Sequence, residues 1–260
     1  MAKVNTTFNI GDSVVYQYGT ERSNKLPFLL IHGIWAGAWL FEKWIDFLCE
    51  KDFRVYTVDL HGESPNIGKV SIFRYIEDVK KIIEKIGEVI VVGHSMGGLI
   101  TQAVTQNNPL VKGAVFVTSA PPKGVSFKIN FGLVPKMLKP KYISSVLFNK
   151  PFLVSIKDLL DWALTELEDP EFIAEKLVPE SGKAMKEILF KKVIVDENKI
   201  SCPTMVIGGE KDLMLPVSIQ KNIAKKYNSQ FKTFNSGHIL MMEKDWKSPI
   251  QAIVDFAEKI

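Results

Sequence analysis

The chain has 260 residues, 46% of them apolar and 24% charged, with 17 glycines and 13 prolines, which excludes disorder and collagen-like repeats. Two cysteines, Cys49 and Cys202, exclude a disulfide framework and any paired-cysteine zinc motif. The net charge of +4 is spread along the chain, so no nucleic-acid partner is expected.

Strand and helix patterns alternate from the start. Asp12 to Gly19 reads as a strand ending in a turn glycine, with Val14, Tyr16 and Tyr18 alternating with Ser13, Val15 and Gln17. Phe28-Leu29-Leu30-Ile31 is a short continuous apolar run, as in a strand buried on both faces. Ala38 to Lys51 carries Phe41, Trp44, Ile45 and Leu48 at helical spacing, and Arg54 to Val58 is the next strand. Ser71 is placed to cap a helix with Ile72, Ile76, Val79, Ile83 and Ile86 on one face. Val89 to Val92 is another buried strand, followed by a helix from Ser95 to about Gln106 and a strand over Ala114 to Val117.

Residues 121–196 break the pattern. They offer no clear strand but have capped helical segments: Ser155 before Leu159, Leu160 and Ala163, and Asp169-Pro170 before Phe172, Ile173 and Leu177. The alternation resumes with a strand at Thr204 to Ile207, a helix around Val217 to Tyr227 and a strand at Phe231 to Phe234. The last helix is expected from Ser248-Pro249 onward. Such alternation predicts a parallel sheet with helices on both faces. The expectation is one α/β core, 1–120 with 197–260, and a helical cap inserted at 121–196.

The strongest chemical signal is Gly93-His94-Ser95-Met96-Gly97-Gly98, a G-x-S-x-G motif between a β-branched strand and a helix. The hydroxyl of Ser95 should project above the sheet at the positive end of that helix. No phosphate-binding G-x-x-x-x-G-K or G-x-G-x-x-G pattern competes with it. A serine needs a base, and the chain has four histidines. His94 adjoins Ser95 and is expected to point away. His32 and His61 each precede a glycine at a strand end and are expected to support loops. His238, in Ser236-Gly237-His238 after the last strand, is left. The acid that orients it is expected to be Asp212, with Glu210 of the same loop as the alternative. The order Ser95, Asp212, His238 is that of one of the three known triad orders. An oxyanion would be held by the backbone N–H groups of Ile34 and Met96.

Together these segments give the chain a clear resemblance to the α/β-hydrolase superfamily along nearly its whole length. The matching pieces are His32-Gly33 with Trp35-Ala36-Gly37-Ala38-Trp39, then Asp59-Leu60-His61-Gly62-Glu63-Ser64, the Ser95 elbow, and the Asp212 and His238 segments. The resemblance implies an eight-stranded, mostly parallel sheet with helices on both faces, a variable helical cap over the pocket, and no cofactor or metal. Superfamily dehalogenases and epoxide hydrolases use Asp where this chain has Ser95. Hydroxynitrile lyases place Lys beside the histidine, where this chain has Ile239. Menaquinone-pathway lyases place Arg after the elbow glycines, where this chain has Leu99. The elbow looks like that of monoacylglycerol lipases and small carboxylesterases; cofactor-free haloperoxidases, C–C hydrolases and a non-catalytic ligand-binding relative are the alternatives.

The resulting expectation is a serine carboxylesterase for small-molecule esters with an apolar acyl or alcohol group. Trp35 and Met214 are expected to flank the pocket mouth. Apolar cap residues Phe127, Phe131, Leu133, Val134, Met137, Phe148, Phe152, Leu153, Leu160, Trp162 and Leu164 would pack on the core or line the pocket. Of the 33 basic residues only Arg22, Arg54 and Arg74 are arginines, so thirty are lysines, read as a solvated coat; Lys136, Lys139 and Lys141 lie in the cap. Residues 1–11 lack the apolar stretch of a signal peptide, and no apolar run nears the ~20 residues that span a bilayer. A cytoplasmic monomer or homodimer without stable membrane insertion is expected.

Overall fold

The computed structural model describes residues 2–60, 64–126, 139–163, 167 and 169–260, with 162 and 163 as backbone alone. The strands are β1 (Val4–Ile10), β2 (Ser13–Tyr18), β3 (Phe28–Ile31), β4 (Val55–Asp59), β5 (Val89–His94), β6 (Val111–Val117), β7 (Pro151–Phe152), β8 (Glu180–Ser181), β9 (Thr204–Gly209) and β10 (Gln230–Phe234). The helices are α1 (Glu42–Glu50), α2 (Ile72–Ile86), α3 (Met96–Thr105), α4 (Pro140–Leu147), α5 (Ile156–Ala163), α6 (Pro170–Lys176), α7 (Gly182–Leu189), α8 (Val217–Tyr227) and α9 (Lys247–Ala257).

Eight strands form one sheet in the order β1-β2-β4-β3-β5-β6-β9-β10. β2 runs antiparallel to both β1 and β4, and the other neighbours pair in parallel. The period-2 side-chain alternation divides the interior in two. Phe28, Leu30, Ile90, Val92, Val115 and Val117 face α1 and α9; Leu29, Ile31, Val89, Val91, Ala114 and Phe116 face α2, α3 and α8. Both faces are covered, so the central strands read as unbroken apolar runs. Ser71 caps α2 by accepting from the Phe73 N–H, and Asp169 caps α6 by accepting from the Phe172 N–H. Each such cap contributes ~1 kcal/mol.

Four details differ from the sequence expectation. β1 is an additional edge strand whose side chains are mostly exposed, so it carries no burial alternation. Ala38–Phe41 is a 3₁₀ turn, and the α-helix begins only at Glu42. α9 begins at Lys247, and the Asp245 carboxylate accepts from the Ser248 N–H and hydroxyl. β7 and β8 form a two-residue antiparallel pair inside the inserted segment, too short to leave a periodic signal.

The segment between β6 and β9 holds α4 to α7. Glu187 on α7 accepts from the Ser71 hydroxyl at 2.7 Å and the Ile72 N–H at 2.9 Å, tying the segment to the start of α2. The Trp35 indole N–H donates to the Phe152 carbonyl at 3.0 Å, and the Val178 N–H donates to the Trp35 carbonyl at 3.0 Å. Phe152 is buried against Trp35 and Tyr142, whereas Phe148 and Leu153 face solvent. Phe127, Phe131, Leu133, Val134, Lys136, Met137 and Leu164, the Trp162 side chain, and His61, Gly62 and Glu63 lie outside the described parts.

Candidate active site

Three side chains far apart in sequence meet at the carboxyl ends of the parallel strands. Ser95 sits between β5 and α3 with φ 55° and ψ −116°, a backbone conformation that costs of order 1–3 kcal/mol unless its surroundings impose it. They do: a Cβ on Gly93 would lie 2.2 Å from the Gly97 carbonyl oxygen and from Thr101 Oγ1, so the chain turns this tightly only with glycine there. The Ser95 N–H donates to the Val117 carbonyl, and the Ser95 carbonyl accepts from the Ala120 N–H, both at 3.0 Å.

His238 Nε2 lies 3.0 Å from Ser95 Oγ, and His238 Nδ1 lies 2.8 Å from Asp212 Oδ2. All three residues are buried. The second oxygen of Asp212 accepts from the Met214 and Leu215 N–H groups at 2.9 Å each, so the carboxylate is held from both sides. Glu210, the alternative acid, lies elsewhere: it is exposed and accepts from the Thr233 hydroxyl at 2.8 Å.

Further residues fix the histidine, and sequence reasoning did not single them out for this. The His238 carbonyl accepts from His94 Nε2 at 2.9 Å and from the Thr118 hydroxyl at 3.0 Å. The preceding Gly237 N–H donates to Glu243 Oε1 at 2.8 Å. His94 therefore does not point away from the site; its ring centre lies 4.8 Å from that of His238. Burial, and then the neighbouring His238, hold His94 well below the ordinary imidazole value. A neutral ring with its proton on Nε2 fits the bond it makes. His32 supports loops as expected: its Nε2 accepts from the Leu60 N–H, and its Nδ1 lies 2.6 Å from the Gly33 carbonyl.

Ser95 and His238 open into a cavity of about 30 Å³. Ile34, Trp35, Trp39 and Leu40 line one side, Leu159, Ile173 and Leu177 come from the inserted segment, and Met214 and Ile239 complete the wall. Among the described residues that line it there is no lysine, arginine or carboxylate. Trp35 is 2% exposed, so it forms an interior wall rather than the rim expected of it, held there by the Phe152 carbonyl. Met214 is only partly buried. Met96 is the first residue of α3, where a helix leaves its N–H groups without intrahelical acceptors. Among the described residues no group of three or more His, Cys, Asp or Glu is placed to hold a metal ion, and no helix is long and apolar enough to cross a membrane.

A family model described as the alpha/beta hydrolase fold matches residues 27–245. The chain belongs to the α/β-hydrolase family. Methylesterase 10 of Arabidopsis thaliana is 27% identical over 245 residues, which are 84% of this chain and 86% of that protein. A chloroplastic protein of the same plant, provisionally designated methylesterase 11, is 31% identical over 212 residues. That match takes in 75% of this chain but only 54% of the longer relative. Among solved structures, a lipase-esterase related protein of Clostridium acetobutylicum superposes with a TM-score of 0.71 at 21% identity, over 93% of this chain and 98% of that one. As an α/β hydrolase, the chain carries Ser95, His238 and Asp212 at the strand ends where open α/β sheets bind ligands.

Proposed function

We propose that this α/β hydrolase is a serine carboxylesterase acting on uncharged carboxylic esters with an apolar acyl or alcohol group. The carrying observation is the continuous hydrogen-bonded path from Asp212 through His238 to Ser95, opening into a cavity whose described lining is mostly apolar. In this reading His238 takes the Ser95 proton as Oγ attacks the ester carbonyl, and Asp212 stabilises the imidazolium that results. The Ile34 and Met96 N–H groups receive the oxyanion, each donor contributing ~2.7–4 kcal/mol to transition-state stabilisation. His238 then protonates the departing alcohol. Water then attacks the acyl carbonyl and gives its proton to His238, which passes it to Ser95 Oγ as the carboxylic acid departs.

The names of two relatives suggest a narrower substrate class. The described residues leave about 30 Å³ beside Ser95 and His238, and the reading takes one side of the ester as small. Two relatives bear the name methylesterase, and a methyl ester has the smallest alcohol available. The test is release of p-nitrophenol from esters of acetate through palmitate, together with methanol release from methyl esters, for wild type and Ser95→Ala. The reading expects Ser95-dependent turnover with a short-chain optimum. A long-chain optimum would move it to a lipase. Turnover that survives in Ser95→Ala, or its absence throughout the series from folded protein, would overturn it.

A further inference from the structure

The inserted segment carries an outward face that ester chemistry does not use. Eleven large apolar side chains are exposed among the described residues, and six of them fall in two short stretches: Ile143, Leu147 and Phe148 in 139–150, and Leu189, Phe190 and Ile194 in 182–195. Phe148 and Phe190 are each 68% exposed. Exposed large apolar groups are unremarkable when scattered but informative when gathered.

The two stretches adjoin. The Gly182 N–H donates to the Lys150 carbonyl at 3.2 Å, and the Lys186 ammonium donates to the Leu147 carbonyl at 3.1 Å. Phe190 lies one turn beyond Lys186, and Leu147 one turn beyond Ile143. The charge on these stretches is almost all of one sign. They hold seven lysines (139, 141, 150, 183, 186, 191 and 192) and one carboxylate, Glu187. Glu187 is buried and turned inward onto the Ser71 hydroxyl and the Ile72 N–H, the Lys139 ammonium pairs with Asp158, and Asp196 and Glu197 follow directly after the second stretch.

We propose that this face docks the protein on an anionic lipid surface. Apolar side chains interleaved with lysines match the composition of segments that lie in a membrane interface. Lysine stems reach past buried apolar groups to keep their ammonium groups in the headgroup layer. Anionic headgroups supply the opposite charge. The inward side of the same segment bears Phe152, whose ring centre lies 5.1 Å from that of Trp35, a wall of the Ser95 cavity. Docking would set the cavity's covering segment against the bilayer, where apolar esters partition.

The test is co-sedimentation of the full chain with vesicles of phosphatidylcholine alone and with about 30 mol% phosphatidylglycerol added. Binding is expected to the anionic vesicles only, and to fade as salt rises from about 0.1 to 0.5 M. Phe148→Ser with Phe190→Ser, and separately Lys141→Gln with Lys150→Gln and Lys192→Gln, should each weaken binding about tenfold or more, with unchanged circular dichroism and melting. Ser95→Ala should bind as wild type does, which separates this proposal from the esterase reading. Absence of binding to the anionic vesicles, or binding that neither variant set weakens, would overturn it. So would light scattering that shows the face instead joining two copies, with the phenylalanine variant monomeric and no vesicle binding by either protein.

Discussion

Gly33 offers a sharp perturbation of the site because its neighbours are short and boxed in. It follows β3, and a Cβ added there would lie 2.8 Å from Ser95 Cβ and 2.9 Å from His94 Nδ1. An ordinary carbon–carbon contact begins near 3.5 Å, so Gly33→Ala forces a displacement of about 0.7 Å between the loop and the nucleophile. Neither neighbour yields easily: Ser95 is pinned by backbone bonds to Val117 and Ala120, and His94 by the His238 carbonyl. Overpacking of this kind costs about 1–3 kcal/mol, a fall of roughly 2–12 °C in melting temperature for a chain of this size. Activity should suffer more than stability, since a misplacement near 1 Å in an active site costs about a hundredfold. The check is kcat/KM on p-nitrophenyl acetate beside a thermal melt. A variant within about threefold of wild-type activity would refute the steric reasoning.

Asp212→Asn should lower kcat by about four orders of magnitude, because the amide favours the wrong histidine tautomer. Glu210→Gln should leave kcat near wild type, since Glu210 is exposed and bonded to Thr233; steady-state kinetics on both variants distinguish the two acids. His94 should make the fold acid-sensitive. Its folded-state value lies well below 6.5, so as pH falls through about 6.5 the unfolded chain takes up a proton that the folded chain does not, and stability drops. Melting temperatures from about pH 7 to 5 should fall less steeply in His94→Asn than in wild type; equal slopes would assign the acid sensitivity to other groups.

Much of this arrangement is legible in the sequence because burial on both faces writes itself into composition. Phe28 to Ile31 and Val89 to Val92 read as central strands since each residue faces one of the two cores. The serine announces itself through glycines that close contacts require, and His238 emerges by elimination among four histidines. β1 leaves no trace because its side chains are mostly exposed. The choice between Asp212 and Glu210 depends on which carboxylate turns inward, and two residues of spacing do not encode that. His94 and Thr118 act through the His238 loop, to which they are joined only by the folding of distant segments, and Glu243 reaches the Gly237 N–H from six residues on with no motif to mark it. Phe148 and Phe190 illustrate the reverse case: apolar spacing marks a helix face but not whether that face meets the core or solvent.

The most direct test of the account is the intact mass of the chain, quenched with acid during turnover of p-nitrophenyl acetate. The account predicts a transient gain of one acetyl group, mapped by peptide analysis to Ser95 and absent in Ser95→Ala. Turnover with no adduct under conditions where deacylation is slow, or an acetyl group mapped to another residue, would contradict the assignment of Ser95 as the nucleophile.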